Sequence, residues 1–361
     1  MSGLLLTSQP NKKSHIKNNM KKIRVAINGF GRIGRVYLRN CINNPEIEIV
    51  AINDLTDAAT LAHLLKYDSI HRKFEGDVKA DGNNLVINGK KIKVVSFKDP
   101  EQLPWKENDI EIVVECTGHF LDKISATKHI TAGAKKVILS APAKDDDIRS
   151  VVLGVNDKVL LSSDVIVSNA SCTTNCAAPM LKVLDQFGIE EAYITTVHSY
   201  TSDQRIHDAP HKDLRRARAA AMSIIPTSTG AAKAITKIFP HLDGKIGGCG
   251  MRVPVPDGSL TDITCVLNKI LTDITCVLTQ IPTVKEINDA FKSASQKDLK
   301  GILEYTEDPV VSIDVIGNAH SVLYDAEFTS IVGNLVKIIG WYDNEWGYSN
   351  RLVDLTLKMG K

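Results

Sequence analysis

The 361-residue chain has no run of about 18 apolar residues, so no membrane-spanning helix is expected. An excess of one charge is also missing. The 44 Lys and Arg stand against 42 Asp and Glu, a net +2, which gives no field of the kind a dedicated nucleic-acid binder carries. Gly (23) and Pro (13) are too scarce for a collagen-like or linker protein, and a 43% apolar fraction is too high for disorder. The 7 cysteines are an odd number in a long chain, which argues against a disulfide framework and for a reducing compartment, the cytoplasm. Cys172 and Cys176 stand four apart rather than two, and no His pair lies nearby at zinc spacing, so no metal site is expected. Leu4, Leu5 and Leu6 are too few for the core of a signal peptide.

What is present is an ordinary globular composition at a length that suits two domains. Residues 1–19 are polar and aperiodic and read as a disordered extension, with Met20 as an alternative start. From Ile23 the pattern is βαβ: a strand at Ile23, Val25 and Ile27, a glycine turn, a helix from about Ile33 to Ile42, and a strand over Ile47 to Ile52. Short apolar runs at Ile110–Val114 and Lys136–Leu139 suit buried parallel strands, and Asn88-Gly89 suits a hairpin turn. The second half reads differently. It has alternating strands at Tyr193–Val197, Val310–Val315 and Val336–Gly340 and a helix over Val284–Ser295, the pattern of an antiparallel sheet with helices on one face. The fold class is therefore α/β, a Rossmann dinucleotide-binding domain joined to an α+β catalytic domain with a mostly antiparallel sheet. The bounds are 20–171 for the first, completed by a C-terminal helix over 344–361, and 172–343 for the second.

Gly29-Phe-Gly31-Arg32-Ile33-Gly34 follows a strand and opens a helix. The first glycine permits the tight turn, the second lets a pyrophosphate approach the backbone, and the third lets helix and strand pack closely. The helix start offers unpaired N–H groups to phosphates. Asp54, 20 residues after Gly34, stands where a carboxylate binds both ribose hydroxyls and repels the extra phosphate of NADP, so NAD is the expected cofactor.

Cys172 follows the strand Val165-Ile-Val167 and precedes an apolar-periodic run, which puts it at a helix start, where dipole and N–H groups stabilise a thiolate. The other cysteines read as small buried thiols. A thiol nucleophile needs a base. His198 ends a strand and can project from a rigid edge, but the residues alone rank it only modestly above the loop histidines His207, His211 and His241.

Asn169-Ala-Ser-Cys172-Thr-Thr-Asn175, Thr196-Val-His198-Ser-Tyr-Thr201 and Trp341-Tyr-Asp-Asn344-Glu-Trp-Gly-Tyr348-Ser together closely resemble the phosphorylating glyceraldehyde-3-phosphate dehydrogenase family, over about residues 21–361. Asp208-Ala-Pro210 through Arg218 resembles its bacterial type. The resemblance implies Cys172 as nucleophile and His198 as its base. It implies Arg32 and Ile33 at the pyrophosphate, Asp54 at the adenosine ribose, Lys98, Thr117 and Gly118 elsewhere on the cofactor, and Ser140 and Asn344 near the nicotinamide. Thr201 and Arg252 match the pocket for the substrate's phosphate. Ser171, Thr173, Thr229 and Gly230 match that for inorganic phosphate, with Arg216 as a phosphate-contacting arginine. Glyceraldehyde 3-phosphate and phosphate are the implied substrates, a homotetramer the implied assembly, and the 199–222 loop is expected near a neighbouring subunit's cofactor.

The chemistry suits the residues. A thiol adds to an aldehyde to give a thiohemiacetal, hydride leaves to the nicotinamide, and the resulting thioester is cleaved by phosphate to an acyl phosphate. An imidazole holds the thiolate as an ion pair and accepts the hydroxyl proton.

Two features depart from the family. Lys98 stands where bacterial relatives usually carry Arg, keeping the charge but losing the planar fork. Leu260–Ile270 is followed at once by a second copy, Leu271–Ile281, identical at nine of eleven positions. Each copy reads as a strand. An odd shift of eleven would invert the strand's faces, so one copy is expected in register and the other looped out, at a cost in stability. Erythrose-4-phosphate dehydrogenase is the near alternative, disfavoured by Ser228-Thr229-Gly230. A catalytically impaired NAD-binding protein is the distant one, supported only by the duplication.

Overall fold

Apolar β-branched runs separated by glycine turns build the first sheet of this computed structural model, which describes residues 21–267, 270–273, 276–279 and 281–361. The stretch 1–19, expected to be disordered, lies outside the described residues. The first half runs β1 Ile23–Asn28, α1 Arg32–Cys41, β2 Ile47–Asn53, α2 Ala58–Lys66, β3 Val78–Asp81, β4 Asn84–Ile87 and β5 Lys90–Val95. It continues with β6 Ile112–Glu115, α3 Lys123–Thr131, β7 Lys136–Leu139, β8 Arg149–Ser150 and β9 Ile166–Ser168. The sheet order is β3-β4-β5-β2-β1-β6-β7-β9-β8. From β5 to β8 every neighbouring pair is parallel, while β3, β4 and β5 form an antiparallel meander. Asn88 and Gly89 both take positive φ (49° and 79°), as a two-residue hairpin turn between twisted strands requires. The chain leaves β1 to one side for β2 and comes back on the other side with β6. The crevice at the carboxyl ends of β1 and β6 is thus a topological switch point, the place where such sheets hold ligands.

The second half comprises α4 Cys172–Asp185, β10 Ile189–Ser199, β11 Ile225–Thr227, α5 Ala231–Ile238, β12 Ile246–Val253, β13 Ser259–Leu267, β14 Ile270–Asp273 and β15 Cys276–Thr279. It ends with α6 Val284–Gln296, β16 Leu303–Thr306, β17 Val322–Val332, β18 Leu335–Tyr342 and α7 Trp346–Met359. Its main sheet has the order β11-β12-β10-β13-β18-β17-β16, with parallel pairing only at β10–β12 and β16–β17. Helix α4 buries Cys176, Met180, Leu181 and Leu184 against Ile194, Ile263, Val336 and Ile338 of this sheet. The approach is close enough that a Cβ on Gly340 would lie 2.6 Å from Met180 Sδ. Helix α6 opens with a reciprocal Thr283–Glu286 capping box. Helix α7 returns to the first sheet: Leu352 and Leu355 join its core, and Tyr37 and Thr356 hydroxyls pair at 3.0 Å.

The strand expected over Val310–Val315 is absent. Ser312–Val315 is a 3₁₀ turn, because the Asp314 carboxylate accepts the Val311 N–H at 2.8 Å and Val311 and Ile313 face solvent. The strand the sheet uses is β17, which the alternation did not single out.

The duplication resolves asymmetrically. The first copy fills the slot between β10 and β18, with Thr261, Ile263, Cys265 and Leu267 facing inward. Ser259 just before it pins its start, accepting the Ser199 N–H at 3.2 Å and donating to Asn344 Oδ1 at 2.7 Å. The residue before the second copy is Ile270, which has no hydroxyl. The second copy folds on itself instead, β14 against β15, with Leu271 opposite Leu278. The excluded copy is therefore a hairpin rather than an open loop.

Candidate active site

The turn between β1 and α1 is built as its glycines demand. Gly29 takes φ 89° with Thr117 packed against the place of its missing Cβ. Gly31 faces open space, and a Cβ on Gly34 would sit 2.3 Å from Gly29 O. No side chain caps α1 and its first turn carries no acid, so its N–H groups are left to an anion. Asp54 is held by the N–H groups of Phe30 and Thr56, at 2.8 and 2.9 Å, and shares a cavity of about 350 Å³ with Gly29, Gly31, Lys98 and Thr117. These residues fit a dinucleotide's phosphates and ribose. Two expected residues line neither this cavity nor the larger one: Gly34 acts through packing, and Gly118 is a turn residue at φ 74°. Arg32 lines a second, larger cavity that shares Gly31 with this one. Its guanidinium is taken by Asp68 (2.7 Å) and Glu345, so what it offers a pyrophosphate is backbone.

A larger cavity of about 630 Å³ runs from Gly31, Arg32 and Ile33 past Ser140 and Asn344 to Ser171, Cys172, His198, Thr201 and Arg252. Asn344 Oδ1 accepts from the Ser199 and Ser259 hydroxyls, which fixes its amide with Nδ2 as the remaining donor. Cys172 is the first residue of α4, whose N-cap Ser171 accepts the Thr174 N–H at 3.0 Å. Its Sγ lies 3.4 Å from His198 Nε2. Arg252 Nη1 lies 2.6 Å from His198 Nδ1 and donates to Ser199 O at 2.9 Å. Burial and the Arg252 charge take the His198 imidazole down to about 3. Burial pushes the Cys172 thiol up, against the pull of Arg252 and the Thr173 N–H. Burial and the Arg252 guanidinium thus favour the neutral imidazole, against the ion pair expected from the sequence.

On the far side of the pair is a smaller cavity of about 200 Å³, lined by Ser171, Cys172, Thr173, His198, Arg216, Thr229, Gly230 and Arg252. Arg216 pairs with Asp203 and donates to Thr227 Oγ1 at 2.7 Å. Among the loop histidines set beside His198, His211 has a largely buried side chain that packs between Asp203 and Asp213. Cys116 is no simple core thiol either, since it lines the large cavity.

Three supports escaped the sequence reading. Ala170 holds φ 55° just before the nucleophile, a conformation rare outside glycine, and is clamped by Tyr348 Oη donating to its carbonyl at 3.0 Å. Tyr342 Oη bridges the Thr173 and Thr196 hydroxyls at 3.0 and 2.9 Å and lies edge-on to His198. Fully buried Glu115 accepts from Thr117 N–H, Asn28 and His129 beneath the glycine turn. Only Glu115 left a signal, a carboxylate closing an otherwise apolar strand; the tyrosines act across distant elements.

Fold and site together define a class: an NAD-dependent dehydrogenase in which a second sheet brings a Cys–His pair to the cofactor cavity. Residues 23–123 match the glyceraldehyde 3-phosphate dehydrogenase NAD binding domain, and residues 171–344 its C-terminal domain. The chain is 55% identical over 342 residues to glyceraldehyde-3-phosphate dehydrogenase 1 of Bacillus subtilis (strain 168), covering 94% of this chain and 98% of that one. It is 55% identical over 336 residues to glyceraldehyde-3-phosphate dehydrogenase of Geobacillus stearothermophilus, covering 92% and 97%. The chain belongs to the glyceraldehyde-3-phosphate dehydrogenase family. Among the described residues no helix is long and apolar enough to cross a membrane.

Proposed function

We propose that this chain oxidises glyceraldehyde 3-phosphate to 1,3-bisphosphoglycerate with NAD and inorganic phosphate, the acyl group passing through Cys172. The observation that carries this reading is that Cys172 and His198 line both the large cavity and the small one. A group bonded to Sγ faces the cofactor side and the anion side without moving.

The substrate's phosphate takes Arg252 and Thr201. With Arg252 drawn off, His198 Nδ1 donates to Ser199 O, 2.8 Å away, and Nε2 is left to accept. Nε2 takes the thiol proton, Sγ bonds to the aldehyde carbon, and the proton passes to the oxygen. Nε2 then removes that hydroxyl proton as the C–H pair leaves as hydride. NAD, when bound, accepts the hydride. A thioester remains on Cys172. Phosphate held by Ser171, Thr173, Thr229, Gly230 and Arg216 attacks its carbonyl, the C–S bond breaks, and the departing Sγ takes back the proton held on Nε2, restoring the thiol. Arg216 reaches that phosphate by exchanging Asp203 for it. Gly29, Gly31, Ile33 and the Arg32 backbone receive the pyrophosphate, Asp54 the ribose, Lys98, Thr117 and Gly118 the neighbouring parts of the cofactor, and Ser140 and Asn344 the nicotinamide.

We further infer a division into an NAD-binding domain, 20–171 with 344–361, and a catalytic domain, 172–343, along with a homotetramer in the cytoplasm. Sedimentation at about four times 39.5 kDa checks the assembly; hydrogen exchange checks the division, and cell fractionation the location. The substrate test compares glyceraldehyde 3-phosphate with erythrose 4-phosphate, each with and without phosphate. The reading expects steady turnover only with the former and only with phosphate. Faster turnover of erythrose 4-phosphate without phosphate contradicts it.

A further inference from the structure

Behind the wall of the large cavity, three separate elements bring His71, Asp257 and Asp343 together. One ligating atom from each lies within 4.8 Å of the other two. His71 follows α2, Asp257 sits in the turn between β12 and β13, and Asp343 follows β18, so no sequence spacing announces the trio. The turn is fixed by Gly258, at φ 83°, where a Cβ would meet Ser312 O at 2.2 Å. His71 Nε2 stands 3.8 Å from Asp257 Oδ2 and 3.1 Å from Glu345 Oε2. Adjacent ligands on a cation with bonds of about 2.1 Å have roughly such separations.

Arg32 pairs with both Asp68 and Glu345. Asp343 is held as an acceptor by the N–H groups of Gly317, Glu345 and Trp346. Asp257 is 0% exposed, and neither of its oxygens has a hydrogen-bond partner. A buried carboxyl with no donor has given up its hydration uncompensated, a state that a bound cation would relieve.

We propose that His71, Asp257 and Asp343 bind a divalent first-row transition cation, with Glu345 within reach as a fourth ligand. One imidazole and two or three carboxylates, with no thiolate, suit a mixed nitrogen–oxygen metal such as Mn(II). Ser69, Ile70, Pro256 and Glu345 line the large cavity, so the cation would tie three chain segments directly behind its wall.

The test titrates chelator-stripped enzyme with Mn(II) and follows the free-ion electron paramagnetic resonance signal, an ion chosen because it has little affinity for the Cys172 thiol. The expected result is one saturable Mn(II) per chain, weakened at least about tenfold in Asp257→Asn and in His71→Gln and unchanged in Cys172→Ser. Circular dichroism of each variant confirms that it is folded. No saturable binding, binding unchanged in both folded ligand variants, or binding lost only in Cys172→Ser overturns the proposal.

Discussion

At Cys172 two influences oppose one another, and the sequence displays only one of them. Its place at a helix start is legible from the apolar run that follows, and that place pulls a thiol down. Burial, which pushes it up, and Arg252, which pulls it down from another strand, emerge only when β12 is laid beside β10. Arg252 stabilises the thiolate, so removing its charge must raise the thiol further. In Arg252→Gln the pH profile of iodoacetamide alkylation is expected to move to higher pH, with slower alkylation at pH 7. An unmoved profile would show that Arg252 does not act on the thiol. The glycines, Asp54 and Cys172 were readable because their chemistry is local to one turn. Tyr342, Tyr348 and Asp257 were not, because each acts on residues brought near only by the sheets.

At the scale of elements, periodicity identified the parallel strands well, since a strand buried on both faces is nearly all apolar: Lys136–Leu139 is found at its expected bounds. It misled at Val310–Val315, where apolar letters belong to an exposed turn held by Asp314. The duplicated strand is the instructive case. Both copies have the same alternation, so pattern alone cannot choose between them, and the choice falls to Ser259 and its bonds to Ser199 and Asn344. Deleting 271–281 shortens the connection from Leu267 to Thr283 from 15 residues to 4. Loop-closure entropy then predicts a gain of about 1 kcal/mol, or a melting temperature roughly 2 °C higher. A lower melting temperature in calorimetry would mean that the second hairpin supports the fold.

For the whole molecule, the two sheets meet at the cavity. The first supplies the turn and free helix start for an anion, the second supplies β10 and β12 with His198 and Arg252, and α4, which follows directly on the first sheet, places Cys172 between them. The account's central claim is that Cys172 carries the acyl group from the cofactor side to the phosphate side. The most direct measurement is rapid mixing of enzyme, NAD and glyceraldehyde 3-phosphate without phosphate, following NADH. The account predicts a burst of about one NADH per chain that stops until phosphate is added, and no burst in Cys172→Ser. Continuous turnover without phosphate, or a full burst in Cys172→Ser, would contradict it.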